Sequence, residues 1–140
     1  MGAPNGNGNA TIDAWLSRYA ETKAGHAAAG WGALLGARRC EAQGEDEEAS
    51  RCRERAVEFW EKALADGDQI TRINGAADQL ILAETLRRLG RFQDARDCCH
   101  RGLSGRPADP IRSVLEFEIE LLGADDSRPH AVAEVLNRGL

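Results

Sequence analysis

The chain has 140 residues, 42% hydrophobic and 29% charged, with a net charge of −5. That length and balance suit one soluble domain able to bury its own core, and they lack the basic excess of a general nucleic-acid binder. No apolar run reaches the roughly 18 residues a membrane helix needs, and the opening MGAPNGNGNA has neither the basic nor the apolar region of a signal peptide, so a cytoplasmic protein is expected.

Alanine and leucine are abundant and β-branched residues sparse, which favours helix throughout. Residues 1–10, rich in glycine and asparagine, read as a disordered lead-in, leaving 11–140 as a single helical domain. Thr11 is placed to cap a helix running to about Lys23, with Ile12, Trp15, Leu16 and Tyr19 on one face. A second helix is expected over about 26–42. Its glycines Gly30, Gly32 and Gly36 weaken a helix unless backbones approach closely there.

Gly44 then closes a turn, and a long helix follows over about 46–66. Its acidic start, Glu45 to Glu48, complements the helix dipole. Ala49, Cys52, Ala56, Trp60 and Ala63 recur at three- and four-residue spacing as a buried stripe, and Glu47/Arg51 and Glu58/Lys62 stand as i,i+4 pairs.

Residues 76–109, AADQLILAETLRRLGRFQDARDCCHRGLSGRPAD, read as helix, glycine turn, helix and proline stop. Leu82, Leu86 and Leu89 face the second helix, which returns Phe92, Ala95, Cys99 and Leu103. Pro110 opens the next element. There Leu115 to Leu121 alternates like a strand, yet no other segment offers a strand to pair with, so helix is expected and Glu118 falls within its apolar arc. A polar ADDSR stretch leads to a last helix over about 129–137.

Charge is unevenly spread. Between Glu41 and Asp68 ten acidic residues face four basic ones, whereas between Arg87 and Arg112 seven arginines face three aspartates. Arg87, Arg88 and Arg91 cluster without interleaved aromatics, against a nucleic-acid platform. Of the four cysteines no pair has the spacing of a zinc site, and all four fit a reducing compartment as small buried residues. A Cys40–Cys52 bridge across the first hairpin is geometrically conceivable.

The 76–109 unit resembles the 34-residue tetratricopeptide repeat. Leu82-Ala83, Leu86, the turn glycine Gly90, Ala95 and Pro107 stand at its signature places, while Gln79, Cys99 and Gly102 depart from it. A weaker copy covers 30–66 and a degenerate one 110–138, and the turn glycines Gly44 and Gly90 lie 46 residues apart rather than 34. Similar elongated arrays occur in bacterial proteins behind a cysteine-motif module, which is missing here. The resemblance implies an all-α fold, a short right-handed solenoid of antiparallel hairpins with about six to seven helices. It also implies a concave groove for a protein or peptide, lined by Trp31, Leu34, Arg38, Leu80, Glu84, Arg87, Ile111, Val114 and Glu118. Leu80 and Glu84 occupy two places of the family's chaperone-tail clamp, so that activity is not expected, and the two glutamates would suit a basic and apolar partner.

No catalytic motif is present, the three histidines lie in separate segments, and no catalytic, cofactor or metal residue is assigned. The expectation is therefore a non-enzymatic interaction module, an adaptor or scaffold. The alternative is a regulatory or accessory domain of an enzyme or secretion system. The two ends of such a short array need covering, by the terminal helices or by a homodimer.

Overall fold

A computed structural model describes residues 10–20 and 24–137. The expected disordered stretch lies outside them, apart from its last residue, as does the end of the first helix near Lys23. Among the described residues the regular elements are all helical: α1 (Ile12–Leu16), a 3-10 turn (Ser17–Tyr19), α2 (His26–Ala42), α3 (Asp46–Ala65), α4 (Gly75–Arg88), α5 (Phe92–Ser104), α6 (Ile111–Gly123) and α7 (Ala133–Leu136). Backbone proximity divides the chain into two compact units, Tyr19–Arg72 and Met1–Arg18 with Ile73–Leu140. The single domain read over 11–140 thus takes the form of two units, because the first helix joins the last ones and leaves the α2/α3 hairpin as a body of its own.

In the hairpin unit, Gly44 adopts φ of 78°, the left-handed conformation that only glycine enters freely. This lets the Glu45 N–H donate to the Cys40 carbonyl at 2.8 Å and reverses the chain within three residues. The expected stripe of α3 is buried throughout, from Ala49 to Ala63, with Leu34 and Ala37 buried on α2. Gly30 is the glycine that close approach requires. A Cβ there would lie 2.3 Å from Trp60 Nε1, so its absence lets the indole lie against α2 and donate to the Ala27 carbonyl. Gly32, in contrast, faces open space. Arg51 pairs with Glu48, one turn back, and not with the expected Glu47; an exposed pair of this kind contributes little either way.

The larger unit is built around α4, which packs against α1, α5 and α6. Asn74 caps it by accepting from the Ala77 N–H at 2.9 Å. Its exit repeats the hairpin closure: Gly90 has φ of 79°, and the Arg91 N–H donates to the Leu86 carbonyl at 2.9 Å. α6 leaves in the same way, with Asp125 at φ of 52° and the Asp126 N–H on the Leu121 carbonyl at 3.0 Å. The ambiguous 111–122 stretch is helix, because Ile111, Val114, Leu115, Phe117, Leu121 and Leu122 are all buried and α6 touches both α4 and α5.

The two terminal helices are shorter than expected. Thr11 does cap α1, accepting from the Ala14 N–H at 3.3 Å, but α-helix stops at Leu16. The last one spans only Ala133–Leu136, not 129–137. The reasons lie in the backbone. α1 gives way to the 3-10 turn and then to Ala20, which pairs with Thr71 in an antiparallel bridge, the Arg72 N–H donating to the Tyr19 carbonyl at 2.7 Å. The Ile12 N–H donates to the His130 carbonyl at 3.1 Å and the Val132 N–H to the Ala10 carbonyl at 2.8 Å, so the antiparallel bridge between Thr11 and Ala131 keeps the start of the expected last helix extended.

Candidate functional site

α4 is buried on every side, at Ala77, Asp78 and continuously from Leu80 to Arg87. A helix so enclosed is normally apolar all round. This one carries Glu84 and Arg87, and α6 brings in Glu118; all three side chains are 0% exposed. Buried charges persist only when paired and hydrogen-bonded, and Arg87 supplies both. Its Nε donates to Glu118 Oε1 at 2.9 Å and one terminal nitrogen to Glu84 Oε1 at 2.7 Å. The other terminal nitrogen donates to the backbone carbonyls of Asp126 and Arg128 at 2.7 and 2.8 Å. One guanidinium therefore ties α4, α6 and the 124–130 loop together.

The two glutamates are not equivalent to free carboxylates. Burial, then the neighbouring Glu118 carboxylate, pushes the Glu84 carboxyl well above the ordinary glutamate range. The Arg87 guanidinium stands between the two acids, bonded to one oxygen of each. The second oxygen of each glutamate is buried without a hydrogen-bond partner, which makes the cluster costly to disturb. Burial also pushes the nearby Cys99 thiol far up, out of the range where it would react as a thiolate.

Outside this centre a half-exposed layer fastens the loop. Asp126 accepts from Arg128 at 3.0 Å and meets His130 Nε2 at 2.8 Å, while His130 Nδ1 meets Glu134 at 3.0 Å. The His130 ring stands edge-on to Phe117, with centroids 5.7 Å apart. The Arg128 hydrogen bond holds the Asp126 carboxyl well below the usual carboxylate range, and that of His130 lowers Glu134. Arg88 donates to the Ser127 carbonyl at 3.0 Å.

The residues expected to line a groove are placed as follows. Trp31 and Arg38 are half-buried on α2, and Leu34 is buried. Leu80, Ile111 and Val114 are buried apolar packing, and Glu84, Arg87 and Glu118 form the ion cluster. The last six lie on α4 and α6, which pack together, and none of them opens to solvent. α1 packs on α4 and α7 on α6, while the 124–130 loop is bound to Arg87. The same-sign arginine cluster is likewise dispersed: Arg87 is buried, Arg88 binds the loop, and Arg91 pairs with Asp94 at 2.9 Å.

Sequence reasoning did not bring Asp126, Arg128 and His130 together: the first two lay in a stretch read as a polar loop, and His130 in the expected last helix. One signal did point here: Glu118 stood inside an apolar arc, and an acid at such a position needs a buried cation. Its neighbours Glu116 and Glu120 are exposed. A surface pocket of about 410 Å³ lies elsewhere in the unit, between the start of α4 and the end of α5, bordered by Asn74, Gln79, Arg101 and Pro107; there Arg101 donates to Gln79 at 3.1 Å. Among the described residues no group of histidine, cysteine or acidic side chains is arranged to hold a metal ion, and no helix is long and apolar enough to cross a membrane. Comparison with known families, curated proteins and solved structures finds no match for the chain.

Proposed function

We propose that the chain is a non-enzymatic protein–protein interaction module, a cytoplasmic adaptor or scaffold of tetratricopeptide-repeat-like architecture that binds a protein or peptide. Two local features support the repeat reading. The same closure, with a backbone N–H reaching back five residues, ends α2, α3, α4 and α6, at Cys40, Ala63, Leu86 and Leu121, so both helices of the first hairpin stop as the repeat-like α4 does. α6 packs on both helices of the preceding hairpin, as the first helix of a next unit does in a stacked array.

The observation that carries the binding reading is the outer face of α2. Trp31, Leu35 and Arg38 follow at i, i+4 and i+7, so they share one side of the helix. Leu35 is 42% exposed, a large apolar side chain left on the surface, and Trp31 and Arg38 flank it half-buried. An aromatic, an aliphatic and an arginine in one patch are the residue types that anchor partners at interfaces. The Trp31 ring is rigidly held, donating to the Ile70 carbonyl at 2.8 Å and meeting Trp60 edge-to-face at 5.1 Å. It offers a preorganised surface at small entropic cost.

A photo-reactive amino acid placed at position 35 tests this reading, with the exposed Glu116 position as control. A discrete adduct to a second protein should form in native extract from position 35, and Arg38→Glu should diminish it. Equal labelling from both positions, or none from either, would contradict the proposal.

A further inference from the structure

We infer that Cys40 and Cys52 form a reversible dithiol–disulfide pair, a redox modification site that locks the α2/α3 hairpin. Four observations place the two thiols for it. Cys40 packs against the core cluster of Ala37, Ala49 and Cys52. Gly36, one turn before Cys40 on α2, faces the same sulfur: a Cβ there would touch Cys52 Sγ at 3.6 Å, an ordinary contact distance. The Cys40 carbonyl accepts from both the Gln43 and Glu45 N–H groups, which fixes the Cys40 backbone at the end of α2. Cys40 is half-buried rather than sealed, so a small oxidant reaches the pair from solvent.

The two sulfurs differ in their surroundings. Arg55 donates to Cys52 Sγ at 3.2 Å, and Cys52 is buried where Cys40 is half-buried. Burial, the sulfur of Cys52 and the carboxylates of Glu45 and Glu48 push the Cys40 thiol up. With a low-molecular-weight disulfide as oxidant, one of the two thiols loses its proton to water and attacks one sulfur, the reagent's S–S bond breaks and one thiolate leaves. The other thiol then loses its proton to water and attacks the protein sulfur of the mixed disulfide, releasing the second thiolate. Two protein thiols are oxidised and the reagent is reduced to two thiols.

The other hairpin provides an internal control. Cys98 stands eight residues after its turn glycine, as Cys52 does, and Arg101 donates to its sulfur at 3.2 Å, as Arg55 does to Cys52. Opposite it, four residues before the turn glycine, stands Leu86 in place of Cys40. The arginine contact is therefore present in both hairpins, whereas a thiol four residues before the turn glycine is present in one.

The test is incubation of the reduced full chain with glutathione disulfide, followed by intact mass and tryptic mapping without reduction. The expected product is a monomer lighter by about 2 Da, the two hydrogens lost, in which peptide 40–51 is joined to peptide 52–53. Its thermal midpoint rises, and dithiothreitol reverses both changes. Cys40→Ser should give no bridged product. Retention of all four thiols, an intermolecular dimer, or a bridge through Cys98 or Cys99 would each overturn the assignment.

Discussion

Replacing Arg87 with methionine removes the guanidinium while keeping an unbranched apolar stem in the same space. Four hydrogen bonds are lost, two to glutamate oxygens and two to backbone carbonyls. Glu118 is left as an unpaired buried acid beside Glu84. Removing one partner of a buried ion pair costs about 3–5 kcal/mol, mostly because the remaining charge is uncompensated. Against a typical domain stability of about 5–15 kcal/mol, that is a large fraction. Urea denaturation followed by circular dichroism measures it. The companion variant Arg87→Met with Glu118→Gln removes the stranded charge, so it should be more stable than Arg87→Met alone, a coupling of about 0.5–3 kcal/mol. A loss below about 1 kcal/mol for Arg87→Met, the size expected of an exposed pair such as Arg91–Asp94, would refute the reasoning.

The cluster also predicts opposite pH limbs. Glu84 is raised by burial and by Glu118, so its stabilising protonated form is fully present below the ordinary glutamate range, and that contribution is lost as pH rises through its folded pKa. Glu84→Gln should flatten the alkaline fall in thermal midpoint. Asp126 is lowered by its Arg128 hydrogen bond, so its contribution is present above the ordinary aspartate range and is lost as pH falls; Asp126→Asn should flatten that acid limb. Gly30→Ala drives a methyl into the Trp60 indole and should cost about 1–3 kcal/mol, while Gly32→Ala meets nothing within 4 Å and should stabilise by up to about 1 kcal/mol, both read by chemical denaturation. Asn74→Ala removes the cap of α4 and should cost about 1 kcal/mol by the same measurement.

The five longer helices were legible because each carries a complete apolar period and an explicit stop, such as Gly44 after α2 and Gly90 after α4. Even the alternating 115–121 stretch resolved correctly once the lack of a partner strand was weighed. The ends were not legible: beyond α1 the chain pairs Ala20 with Thr71, and α7 starts late because Ala131 pairs with Thr11, and backbone pairing between residues 51 and 120 positions apart leaves no local pattern. The site was half legible. Periodicity placed Glu118 within the apolar arc of α6, and it is buried there, whereas Leu80, Glu84 and Arg87 were named together only through the repeat resemblance. It does not say what covers a face, and here the covering group is the chain's own 124–130 loop, whose carbonyls satisfy Arg87. Trp15, read on the apolar face of the first helix, is buried with Ile12 and Leu16.

The central claim is that Arg87, by binding the 124–130 loop, holds the pairing of Thr11 with Ala131 in place beside α4 and α6. Amide hydrogen exchange on the native protein and on Arg87→Met tests it most directly. In the native protein the Ile12 and Val132 amides, bonded to His130 and Ala10, should be protected together with those of α4. In Arg87→Met these two amides should exchange first, ahead of the α4 and α5 amides. Free exchange at Ile12 and Val132 in the native protein, or unchanged protection in the variant, would contradict the account.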